Sequence, residues 1–286
     1  MFEAMINPKS AEKGPWKMLF IGFIYASLSI LLVHFLFGSD PALSKASGMM
    51  VVTFCIMFSI PFMYYLIKRE EIEDEQGEGF FRVWKVHKEA IYALMWLFLG
   101  FVVAFSFWHI LLGNPNLLNF QIETYCRINS PGNVEGCITQ YTSEKVLGGT
   151  GAAALRGARF LSILENNVYV MVFTLLFSLI FGAGAIFVLA WNASVIAAAI
   201  NIFTRYSLAE LPLGLARYMI HGFPEIAAYF ITALAGGIFG IGAIRNGIRN
   251  ARFLRVVGNV IILLFIALII LIIAAIIEVY VTPLIF

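Results

Sequence analysis

The sequence predicts an all-α fold, a polytopic transmembrane helical bundle of about seven spans. Two observations carry that prediction. Of 286 residues, 61% are hydrophobic and only 13% charged, with a mean hydropathy of +0.89, whereas soluble globules are apolar over nearer half of their residues. The apolar residues also gather into runs of about twenty, which at ~1.5 Å per residue cross a ~30 Å hydrocarbon core.

The same composition excludes several functions. A net charge of +2 with no basic face is too small for nucleic-acid binding. Three cysteines without Cys-x-x-Cys or paired Cys/His spacing argue against a zinc finger, an iron–sulfur cluster or a redox dithiol. The first sixteen residues are polar, and no Ala-x-Ala-like site follows the first apolar run, which therefore reads as a retained span.

In chain order, the first span is Met18 to Phe37, stopped by Gly38-Ser39-Asp40-Pro41, and the second is Met49 to Ile67, with Pro61 expected to kink it near its end. Lys68 to Glu89 mixes basic residues with an acidic run and reads as a solvated cytoplasmic connection. Ala90 to Leu112 is the third span. After it comes the longest polar segment, about residues 113–166, which alternation places outside the cytoplasm. There Cys126 and Cys137 flank the turn-forming Ser130-Pro131-Gly132-Asn133, and disulfides persist outside, so a short bridged loop is expected; two free thiols are the alternative. Cys55 reads as a buried packing residue. Gly148-Gly149-Thr150-Gly151 lacks the Lys-Ser/Thr and preceding strand of a phosphate loop.

Arg156 to Glu165 suits an interfacial helix leading into the fourth span, about Val168 to Trp191, where Gly182 and Gly184 allow close helix approach. From Asn192 two geometries fit: a fifth span from about Ser194 to Leu213, or a re-entrant half-helix that turns back. The full span is favoured because it brings Arg245, Arg249, Arg252 and Arg255 to the cytoplasmic face, spaced to contact anionic headgroups from one side of a short surface helix. The sixth span runs from about Arg217 to Ala243. Val256 to Ile277 is the last, with Glu278 at its outer end. The N-terminus is then cytoplasmic and the C-terminus extracytoplasmic.

Within the sixth span, His221 and Glu225 lie four residues apart on one helical face, and ionisable groups inside a bilayer need a partner or a use. Gly222 and Pro224 are expected to open that turn. Phe160-Leu161-Ser162-Ile163-Leu164-Glu165-Asn166-Asn167 leads into a span that carries Gly182 and Gly184 and has Asn192 at its far end. His221-Gly222 with Glu225 is followed by Ala235-Gly236-Gly237 and Gly240. On these residues the chain, over about 90–286, resembles the stage II sporulation protein M family. It departs from the family in having Asn192-Ala193 where Asn-Gly is usual, and Pro224 directly before the glutamate. Residues 1–89 then look like an N-terminal two-span addition. The resemblance implies a membrane subunit: in sporulating bacteria the namesake belongs to a septal complex whose partners remodel peptidoglycan, and relatives occur in organisms that do not sporulate.

The polar residues have bland and sharp readings. His221 and Glu225 satisfy each other or a neighbouring helix, or they hold a proton or metal. With His34 and His109 at similar depth, they would supply zinc or another divalent ion with four ligands, the one cofactor these residues suggest. Asn166, Asn167 and Asn192 are expected to cap span ends or to make polar contact with the His221 helix. Asn192-Ala193-Ser194 fits a glycosylation sequon but falls at the cytoplasmic edge. Gly236 and Gly240 form a small-xxx-small packing pair, within the chain or across a dimer. The favoured function is a non-catalytic scaffold or partner-recruiting subunit, a homodimer or bound to other membrane proteins and embedded in the lipid bilayer. The alternatives are a small-solute or ion transporter using the His/Glu site, and an intramembrane metal hydrolase, for which no His-Glu-x-x-His is present.

Overall fold

The computed structural model describes residues 14–74, 80–129, 132–142, 156–181, 185–246 and 251–285. The chain forms α1 (Lys17–Phe37), α2 (Ser47–Asp74), α3 (Phe80–Leu112), α4 (Asn119–Asn129), α5 (Val134–Thr142), α6 (Arg156–Phe181), α7 (Ala185–Phe203), α8 (Leu211–Asn246), α9 (Ala251–Ile276) and α10 (Thr282–Ile285), with no strand among the described residues. Short 3₁₀ turns at Leu43–Ala46, Pro115–Leu118 and Leu208–Glu210 begin α2, α4 and α8, and a π-helical turn, Ile277–Val281, joins α9 to α10. Among the described residues seven helices are long and apolar enough to cross a membrane. The protein is a polytopic helical membrane protein.

Backbone contact shapes the packing. A Cβ on Gly22 would stand 2.2 Å from the Leu97 carbonyl oxygen, and one on Gly100 2.2 Å from that of Leu19, so α1 and α3 touch main chain to main chain. Gly236 and Gly240 do the same for α8 against α6: their Cβ positions fall 2.6 Å from Ser178 Cβ and 2.8 Å from the Leu179 carbonyl oxygen. The small-xxx-small pair therefore packs within the chain. Gly182 and Gly184 lie outside the described residues.

Several expected boundaries move. The fourth and fifth spans meet between Phe181 and Ala185, not at Asn192, and α7 forms the fifth span directly over Ile186–Phe203. No half-helix turns back there; the chain reverses after Phe203, at Arg205 and Tyr206, which adopt left-handed φ of 50° and 58°. Asn192 sits inside α7 because its Nδ2 donates to the Val188 carbonyl at 2.7 Å, so the amide is satisfied by its own helix. Pro212 falls in the first turn of α8, where its missing N–H costs nothing. α8 runs unbroken through Gly222 and Pro224, so the expected opening is absent, because one lost donor does not undo a helix held along its length by neighbours. α2 likewise continues through Pro61. The charged stretch after the second span is mostly helix, since α2 reaches Asp74 and α3 starts at Phe80. Glu70 and His87 meet there, fully buried, with Oε2 2.6 Å from Nδ1. Arg156 to Glu165 is the first part of α6 and not a separate surface helix.

Candidate functional site

α8 carries His221, Glu225 and Tyr229 on successive turns of one face. The Tyr229 hydroxyl donates to Glu225 Oε1 at 2.9 Å from a fully buried ring, while Glu225 and His221 are half-buried. Opposite them, Thr282 Oγ1 donates to the Ile277 carbonyl at 3.2 Å, a bond that spans the π turn. The same oxygen lies 3.3 Å from His221 Nδ1, which fits an imidazole with its proton on Nδ1. The π turn also brings Glu278 into electrostatic range of both Glu225 and Tyr229. From α6, the buried amide of Asn167 approaches Glu225. Three chain segments thus converge on one polar site, of which the sequence singled out His221, Glu225 and, as the alternative to a capping role, Asn167. Glu278 reads as a span end because a π turn has no signature in hydropathy.

The other proposed ligands lie elsewhere. Asn201 Nδ2 donates to His109 Nδ1 at 2.9 Å, and the His109 ring packs 5.5 Å from Tyr206. His34 packs edge-on against Phe35. Among the described residues no three His, Cys, Asp or Glu side chains gather as a metal ion would require, so the four-ligand set does not converge. Asn166 is exposed and lines a groove with Asn192 instead of reaching His221. Arg249 and the side chains of Arg245 and Arg252 lie outside the described residues; Arg255 is exposed on α9.

A second cluster holds a cap on the bundle. Cys126 of α4 is bonded to Cys137 of α5. The fully buried Gln121 of α4 donates to the Gly48 carbonyl at 3.0 Å and to Ser194 Oγ at 3.1 Å, tying α4 to α2 and α7. The Tyr206 hydroxyl donates to the Tyr141 carbonyl at 3.3 Å, and Tyr141 packs edge-on to Tyr125, which hydrogen-bonds Tyr218 of α8. Burial pushes the Tyr206 phenol up to about 12 and raises that of Tyr125. The Arg217 guanidinium stacks 4.5 Å over the Phe203 ring, bracing the α7–α8 turn.

A bundle of seven spans with a polar site between α6, α8 and the π turn defines a multi-pass membrane protein with an intramembrane polar centre. The sequence profile described as Stage II sporulation protein M matches residues 50–283, so the chain belongs to that family. The match begins inside α2, so that helix falls within the family unit; the motif residues place the start near 90 because they all lie beyond α2. Comparison with curated proteins and with solved structures gives no match.

Proposed function

We propose that this protein is a non-catalytic multi-pass membrane subunit that acts as a scaffold, recruiting a partner to the cap formed by α4 and α5. The supporting observation is how firmly the cap is held. A disulfide, the buried Gln121 and a chain of tyrosines fix two short helices that could not be stable alone. A platform fixed at such density suits recognition, because little ordering remains to be lost on binding. The cap offers Arg127, Ile128, Glu135 and Thr139 at its surface. In this reading the cap is extracytoplasmic and the N-terminus cytoplasmic, and the partner is a second copy or another membrane protein. A photoreactive residue at Thr139, crosslinked in native membranes, should capture that partner, and capture should fall when Cys126 and Cys137 are replaced by serine. Persistent monomers with no crosslink would overturn the reading.

A second reading, proton or ion passage, is favoured by the approach of Glu278 to Glu225. Two carboxylates within electrostatic range of each other in a bilayer each favour the other's protonation, or a cation that offsets their charge. Proteoliposome flux that is unchanged in Glu225→Gln would exclude it.

A further inference from the structure

A groove of about 720 Å³ opens on the side of the bundle between α6 and α7, with α4 and the start of α2 closing one end. Its size falls in the roughly 300–1,000 Å³ range of small-ligand sites. It lies along the spans Phe160–Leu179 and Ile186–Phe203, so its open side meets the bilayer. Among the described spans α6 is the least buried, with 11% of the residues in its apolar stretch buried against 72% in that of α8.

The lining is graded in polarity. Thr124 and Asn166 stand at the cap end and Asn192 partway along, whereas Phe173, Leu176 and Phe187 form the far end, and among the described residues no charged side chain lines it. Phe177 packs beside that far end, its ring centroid 4.5 Å from that of Phe173 and 5.9 Å from that of Phe187. From Asn166 to Leu176 the groove runs about 15 Å at the helical rise. Because Asn192 turns its Nδ2 back on Val188, its Oδ1 is left as an acceptor in the groove. In hydrocarbon such an acceptor needs a donor.

We infer that the groove holds one membrane lipid, its acyl chain between α6 and α7 and a free hydroxyl near its ester region donating to Asn192. The described lining offers no ionic partner to a charged headgroup, and the graded walls match the polar-to-hydrocarbon order of a glycerolipid.

The test uses the full chain in phosphatidylcholine vesicles doped with a photoactivatable diacylglycerol, which carries one free hydroxyl. Label should concentrate on α6 and α7 peptides over the exposed Leu254, Ile261 and Phe265 face of α9, which reports general lipid contact. Leu176→Trp fills the groove from a half-exposed position and should abolish the excess. Asn192→Leu should lower it about fivefold, the loss of one hydrogen bond. Melting curves of both variants establish that they fold, and either one alone decides the question if the other does not. Equal labelling of α9 and the groove, label indifferent to the folded variant, or a protein captured there in place of lipid would each overturn the inference.

Discussion

At one end of the bundle a buried contact at 2.6 Å between Glu70 and His87 links α2 to α3. At the other, α4 and α5 are held by a disulfide, an amide bridging two helices and neutral tyrosine contacts. The difference is one of concentration. A buried pair places its whole electrostatic balance on two side chains, and loss of either strands the other in a dry site. Beside its disulfide, the cap spreads its attachment over hydrogen bonds of about 1 kcal/mol each, so no one of those is decisive.

Five variants can break or sharpen that contrast. Glu70→Gln should lower stability most, by about 3–5 kcal/mol, as buried pairs do when one partner is removed. The double change Glu70→Leu with His87→Phe should recover much of the loss, and a Glu70→Gln melting point equal to the parent's would remove the contrast altogether. At the cap, replacing Cys126 and Cys137 by serine should cost about 2–3 kcal/mol for their separation of 11 residues, with reducing agent reproducing the shift.

Tyr206→Phe should cost about 1 kcal/mol at neutral pH. The tyrosine also carries a pH signature. Its phenol titrates at about 12 in the fold against 10.0 ordinarily, so the unfolded chain releases that proton first. Its contribution is complete below pH 10, falls as pH rises through the window to about 12, and is missing from the pH profile of the phenylalanine variant. The smallest effect belongs to Arg127→Ala, which breaks the exposed 2.6 Å pair with Glu123 and should shift stability by less than about 0.5 kcal/mol.

Seven spans, the Cys126–Cys137 loop and the His221/Glu225 face were legible because each rests on run length or short spacing. The junction between α6 and α7 was not. Hydropathy continues from Val168 to Phe203, so nothing polar marks where α6 ends at Phe181 or α7 starts at Ala185, while Asn192 leaves such a mark where the helix does not end. Glu70 and His87 hid inside a charged stretch because their pairing across 17 residues depends on how α2 meets α3. Glu278 read only as a span end for a related reason, since the π turn that brings it into range of α8 has no signature in hydropathy.

On the proposed topology, with the cap outside the cytoplasm, the bond between Cys126 and Cys137 becomes a record of how the chain was threaded into the membrane. Sulfur pairs of this kind close in an oxidising compartment and stay open in a reducing one. A correctly threaded chain therefore offers alkylating reagents only the buried Cys55, and an inverted chain offers two thiols more. Gel mobility after tagging with a maleimide polymer, done on denatured chains with and without prior reduction, would count misthreaded molecules one by one.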